Sequence, residues 1–178
     1  MDISINNDDT ITIDDTGMDI KIRAAVHDDA EVITDMLGQL AHEIDAGGTF
    51  QTDAEAIRRH GFSDQPLFHC LIAEHQGTPI GLALFFRIFS TDRGHPGVYV
   101  QDLWVGDTAR KQGLGARLLS AVIEQAADQW QATYLTLTVY ANNQNAIDFY
   151  QRLGFLGNPR DCLLALDGAP FQQLRTGR

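Results

Sequence analysis

Apolar residues alternate with polar ones in some stretches of the chain and recur every three to four residues in others, and each change of period marks an element. Residues 10–13 alternate briefly inside a run rich in Asp, Asn and Thr, so residues 1–18 are expected to form a flexible tail or an extra edge strand. Ile20-Lys21-Ile22-Arg23 alternates as a strand does. Val32, Ile33, Met36, Leu37 and Leu40 lie at helical spacing behind Asp28 or Asp29 as N-cap, with Gly47-Gly48 ending the region. A shorter helix is expected over residues 53–60, closed by Gly61. Residues 68–74 and 80–90 read as strands joined by the turn at 75–79, and residues 98–105 as a third. The period then changes: Leu114, Leu118, Leu119, Val122, Ile123 and Ala126 mark a helix that begins just after two glycines. Residues 134–139 alternate as a strand. Ala146, Ile147, Tyr150 and Leu153 mark a last helix with Gly154 as C-cap, and residues 162–166 fit a closing strand. This order predicts an α/β fold, a mixed sheet with helices on both faces, in a single domain over 19–170 followed by a tail at 171–178.

Composition narrows the class without changing that picture. The 44% hydrophobic and 21% charged content are ordinary for a globular chain. The longest apolar run, 80–86, is too short to span a membrane. Residues 1–17 have neither a basic segment nor an apolar one, so no secretory signal is expected. Cys70 and Cys162 form no C-x-x-C pair, and a reduced, cytoplasmic setting is the default. The six histidines show no metal-ligand spacing, so no metal is expected.

Charge does change the picture. The net charge is −11, and residues 1–60 carry fourteen acidic against four basic residues. Nucleic acid needs a basic stripe, which is missing. An acidic lobe suits a cationic partner, and equally well serves solubility alone.

The most distinctive local chemistry lies in Arg110-Lys111-Gln112-Gly113-Leu114-Gly115-Ala116, between a strand and a helix. The first N–H groups of a helix are unpaired and sit at the positive end of its dipole, so an anion is stabilised there. Glycines let a ligand approach the backbone. Arg110, Lys111 and Arg117 add positive charge to an otherwise acidic chain. The G-x-x-x-x-G-K-[ST] loop is absent, and the third glycine of a dinucleotide fingerprint is replaced by Leu118. A turn that merely starts a helix would read the same way.

Arg110, Gly113 and Gly115 fit the R/Q-x-x-G-x-G/A motif of the GCN5-related N-acetyltransferases, and Asn143, Ala146, Tyr150, Gly154 and Phe155 fit that family's N-x-x-A-x-x-x-Y-x-x-x-G-F motif. The chain resembles this family over about residues 20–167. Gly61-Phe62, Phe68-His69-Cys70, residues 81–86, Phe89-Ser90-Thr91, Pro96-Gly97-Val98-Tyr99 and Asp102-Leu103-Trp104-Val105 resemble its diamine (spermidine/spermine) acetyltransferase branch. The resemblance implies a mostly antiparallel central sheet of about six or seven strands. It also implies an enzyme that moves an acetyl group from acetyl-coenzyme A to a primary amine by direct attack. The amine would be a small cationic molecule such as a diamine or polyamine, and the enzyme a homodimer.

By that resemblance Leu103, Trp104 and Val105 lie along the pantetheine arm, and Arg110, Lys111, Gln112, Gly113, Leu114, Gly115 and Ala116 cradle the pyrophosphate. Asn143 reaches the pantetheine or phosphate region, unless it is only an N-cap. Tyr150 stands near the thioester sulfur as general acid for the departing thiolate, or is only an apolar-face residue. An amine of pKa near 10.4 must also lose a proton, at a cost of about 4.6 kcal/mol at pH 7. Where the diamine branch has a glutamate, Tyr99-Val100-Gln101-Asp102 holds Gln101, an amide that orients water but takes no proton. Asp102 is the nearest carboxylate, aimed at the opposite face by strict alternation unless a β-bulge re-aims it. Glu43 and Asp45 are acids that could line the acceptor site or simply be solvated. Two other readings remain: a protein lysine or N-terminal acetyltransferase, and a non-catalytic acyl-coenzyme A-binding regulatory domain.

Overall fold

The computed structural model describes residues 19–44, 50–157 and 164–176, and the chain forms two compact units, Met1–Asn143 and Gln144–Arg178. The first holds the sheet: β1 (Ile20–Ala24), β2 (His69–His75), β3 (Thr78–Ser90), β4 (His95–Val105) and β5 (Leu135–Leu137). They lie side by side in chain order. The first three pairings are antiparallel and β4–β5 is parallel. The β2–β3 hairpin turns through Gln76 and Gly77, both at positive φ (50° and 76°), as a tight two-residue loop requires.

Helices cover both faces. On one face α1 (Ala30–Glu43) and α2 (Ala54–Gly61) bury Ile33, Met36, Leu37 and Ile57 against Ile72, Leu82, Leu84 and Trp104. Each such fully buried side chain contributes roughly 1.5–3 kcal/mol. Asp53 starts α2 by accepting the Ala56 N–H at 2.7 Å. Asp29 stands directly before α1, yet its carboxylate makes no cap bond to that helix. It accepts the Val26 N–H at 2.7 Å and hydrogen bonds from the two terminal Arg23 nitrogens at 2.7 and 2.8 Å.

On the other face lies α3 (Leu114–Trp130), which buries Leu114, Leu118 and Val122 completely. Gly81 of β3 lets its first turns settle close to the sheet: a Cβ there would stand 3.0 Å from the Trp104 carbonyl and 3.3 Å from Leu118. At the far end of α3, Trp130 packs on Phe85 (6.0 Å) and His69 (5.3 Å).

In the second unit, α4 (Gln144–Arg152) ends as the sequence predicts. Gly154 has φ 92°, and Phe155 N–H donates to the Tyr150 carbonyl at 3.0 Å. A further helix, α5 (Gly168–Thr176), occupies most of the stretch expected as a tail.

The sheet differs from expectation in number. Five strands form among the described residues, not six or seven. Residues 164–166 of the expected closing strand are irregular, and its residues 162 and 163 lie outside the described residues, as do 1–18, Gly47 and Gly48. β5 keeps only three residues of the alternating stretch 134–139, pairing Val98–Val100 and nothing beyond.

Candidate functional site

The place where β5 stops pairing is also where β4 changes geometry. Leu84 pairs with Asp102 and Phe85 with Val100, so Gln101 is an extra residue, a β-bulge. Cross-strand partners share a face. Phe85 faces α3 through Trp130, and Val100 faces it likewise. Leu84 belongs to the core under α1 and α2, so Asp102 is carried to that side with Trp104. Strict alternation would have put Val100 and Asp102 on one face. From Gln101 to Val105, β4 pairs with β3 on one side and has no strand on the other among the described residues.

Asp102 is half-buried, and desolvation raises its pKa above the ordinary aspartate value. The neighbouring Gln101 amide offsets part of this. Cys70, in the same cross-strand row, is held firmly as the thiol, by burial first and then by the charges of Asp29 and Asp102.

After β4 a 3-10 turn, Asp107–Ala109, leads to the glycine loop. Lys111 and Gly113 both have positive φ, 61° and 77°. A Cβ at Gly113 would meet nothing within 4 Å, so backbone conformation alone favours glycine there. Gln112 Nε2 donates to the Thr108 carbonyl at 2.9 Å and braces the turn. α3 then begins with no side-chain cap and no acidic residue in its first turn. Its first N–H groups, including those of Leu114, Gly115 and Ala116, therefore keep the anion-binding character of a helix start. Lys111 makes no ion pair among the described residues. Arg117 points elsewhere, donating to the Ile20 carbonyl at 3.1 Å.

Arg110 is heavily engaged. Its Nε donates to the Val105 carbonyl at 2.8 Å, one terminal nitrogen lies 2.7 Å from Asp107, and the other pairs with Glu43. The second Glu43 oxygen accepts the Trp104 indole N–H at 3.1 Å. Glu43, one of the two acids that could line the acceptor site or simply be solvated, thus contacts β4 and the loop; Asp45 lies outside the described residues. Asp107 was not singled out in the sequence. Its signal was available as an acid three residues before Arg110 on a helical turn.

Asn143 stands immediately before α4, its N–H donating to the Tyr140 carbonyl at 2.9 Å. In the second unit Tyr150 is half-buried between Phe149 (5.1 Å) and Phe155 (5.4 Å), both edge-on. Burial pushes its phenol up to about 12. It is neutral at any physiological pH, and so can give a proton.

The backbone fits a pantetheine-linked diphosphate: an uncapped helix start for the phosphates and an unpaired strand edge for an amide-bearing arm. A cavity of about 400 Å³ lined by Arg87, Ile88, Phe89, Pro96 and Trp130 lies elsewhere, at the opposite end of α3. Seventeen helical residues separate the two regions, roughly 25 Å. Among the described residues no helix is long and apolar enough to cross a membrane.

The model of the "Acetyltransferase (GNAT) family" matches residues 36–155. A thialysine N-epsilon-acetyltransferase of Sus scrofa is 32% identical over 143 residues, covering 76% of this chain and 83% of the relative. A spermine/spermidine N(1)-acetyltransferase of Bacillus subtilis (strain 168) is 26% identical over 146 residues, covering 79% and 90%. Among solved structures, an integron cassette protein from the mobile metagenome of V. cholerae superposes with TM-score 0.73 at 19% identity, over 89% of this chain and 99% of that one. An aminoglycoside acetyltransferase from an uncultured soil metagenomic sample gives TM-score 0.69 at 15% identity, over 83% and 95%. At such identities the structural likeness shows the fold.

Proposed function

The chain belongs to the GNAT acetyltransferase family and is an acetyl-coenzyme A-dependent N-acetyltransferase; on that premise we propose that its acceptor is the primary amine of a small cationic molecule, a polyamine or a lysine-like amino acid. The observation that carries the reading is the uncapped start of α3 beside the outer edge of β4, which from Gln101 onward has no second strand among the described residues. Relatives named for thialysine and for spermine and spermidine support the acceptor class, as does the excess of acidic residues in 1–60.

Acetyl-coenzyme A supplies an acetyl group activated as a thioester. The chain's own residues do the rest. The N–H groups of Gly113, Leu114, Gly115 and Ala116, with the Lys111 ammonium, hold the phosphates. Leu103, Trp104 and Val105 offer the open β4 edge to the amide-bearing arm. Asp102 takes the proton from the incoming ammonium: its raised pKa makes it a stronger acceptor than an exposed aspartate. Gln101, a neutral amide, orients a water beside it. Tyr150 donates a proton to the leaving group. The reading extends to a cytoplasmic homodimer that needs no metal, supported by the family resemblance.

The test is acetyl-coenzyme A-dependent thiol release across spermidine, spermine, thialysine, lysine, an aminoglycoside and a lysine peptide. Turnover is expected with the polyamines or the lysine-like amino acids. A preference for the peptide or the aminoglycoside overturns the acceptor class, and silence with all of them overturns the catalytic reading.

A further inference from the structure

Glu43 is the last residue of α1, and both its oxygens are used. One accepts the Trp104 indole N–H at 3.1 Å, from β4; the other pairs with Arg110, at the start of the loop. Arg110 in turn donates to the Val105 carbonyl at 2.8 Å and lies 2.7 Å from Asp107. One carboxylate therefore ties the end of α1, the end of β4 and the loop together, across 61 and 67 residues of sequence. A guanidinium offers five N–H donors in a fixed fork, and here the fork is spread over three acceptors of the protein itself.

Two carboxylates beside Arg110 also cancel the charge it would offer a phosphate. Lys111, next in sequence, has no such partner among the described residues. We propose that Glu43 is a positioning residue and Arg110 a strut: together they fix the path of the loop, and phosphate recognition falls to Lys111 and the N–H groups of the α3 start. The inference rests on the coenzyme A reading above. It adds that the first residue of the loop motif acts through its neighbours rather than on the phosphates, and that an α1 acid serves the donor side of the reaction.

The test is a double-mutant cycle on coenzyme A binding by calorimetry, with Glu43→Ala, Arg110→Met and the two combined. For a strut, each single change weakens binding roughly tenfold, the loss expected of one charge-assisted hydrogen bond. The double variant is then no weaker than either single one. The apparent KM for acetyl-coenzyme A rises while kcat at saturation stays within about twofold. A Glu43→Ala variant that binds as well as wild type or better, beside a weakened Arg110→Met, overturns the proposal and makes Arg110 a phosphate ligand. Should Glu43→Ala not fold, Arg110→Lys decides: a strut loses its fork and binds like Arg110→Met, whereas a phosphate charge keeps most of the affinity.

A readout in the free protein separates this from the reading it rests on. Trp104 and Trp130 are the chain's two tryptophans, so a Trp130→Phe background isolates Trp104. Loss of the Glu43 contact is expected to shift its emission by several nanometres with no ligand present. An unshifted emission overturns the contact. Wild type that binds no coenzyme A overturns the functional reading instead, and the emission shift then judges the strut alone.

Discussion

Burial raises the proton affinity of both Tyr150 and Asp102, with different consequences for each. A phenol near 12 keeps its proton across the physiological range. Tyr150→Phe is expected to lower kcat about a hundredfold or more while leaving coenzyme A affinity within about twofold by calorimetry; equal kcat would remove Tyr150 from the mechanism. For Asp102 the folded pKa lies above the unfolded one, so folding favours the protonated form. Its contribution to stability is present below the unfolded pKa of about 3.9 and is lost as pH rises through the folded value. Asp102→Asn should therefore raise Tm at pH 7, with the gain vanishing below about pH 4, while kcat/KM falls. Asp29 is the converse, held below the ordinary aspartate value by its hydrogen bond with Arg23. Asp29→Asn should cost about 2 kcal/mol at pH 7, with the loss shrinking as pH falls below about 4. Thermal melts of both variants across pH 2.5–8 check the two signs together, and parallel curves would refute the assignment.

At the scale of elements, the loop and α3 work as one unit because the helix starts without a cap of its own. Gly113 makes that start possible at φ 77°. Gly113→Ala puts a Cβ into a left-handed conformation and is expected to cost about 1 kcal/mol, roughly 3 °C in Tm. Because the neighbouring N–H groups would turn with the strained backbone, coenzyme A affinity should fall by more than the stability change alone implies. Melting and calorimetry on one preparation compare the two. An affinity equal to wild type would detach Gly113 from the phosphate site. The β4 bulge is the other device at this scale: at Gln101 it turns Asp102 toward α1, and it falls where the β5 pairing ends.

At the scale of the whole molecule, the net charge of −11 bears on encounter with the acceptor more than on folding. A polyamine should be steered toward the acidic chain, and kcat/KM for spermine is expected to fall severalfold between about 20 and 200 mM salt as the Debye length shortens. A singly charged amine should lose much less. Equal salt sensitivity for the two would assign the acidic excess to solubility alone.

What was legible in the sequence is what depends on near neighbours. Strand and helix periods placed β1–β4 and α1–α4 closely, since burying one face demands that spacing of apolar side chains. The loop from Arg110 to Ala116 and the Asn143–Phe155 motif were equally visible, because helix-start and helix-end chemistry is local. Other features needed the fold. Whether Asp102 faced Gln101's side or the other depended on how β3 and β4 align, and the extra residue appears only in that register. Glu43 sits 67 residues from Arg110, and nothing near either in sequence announces their pairing. β5 ends where the β4 bulge begins, which is visible only in the register. The sequence alone determined an α/β fold of the acetyltransferase kind, with a glycine loop leading into a helix start. Only the tertiary structure decided which face Asp102 takes and which acid pairs with Arg110, because strand register and ion pairing depend on segments that the chain itself keeps far apart.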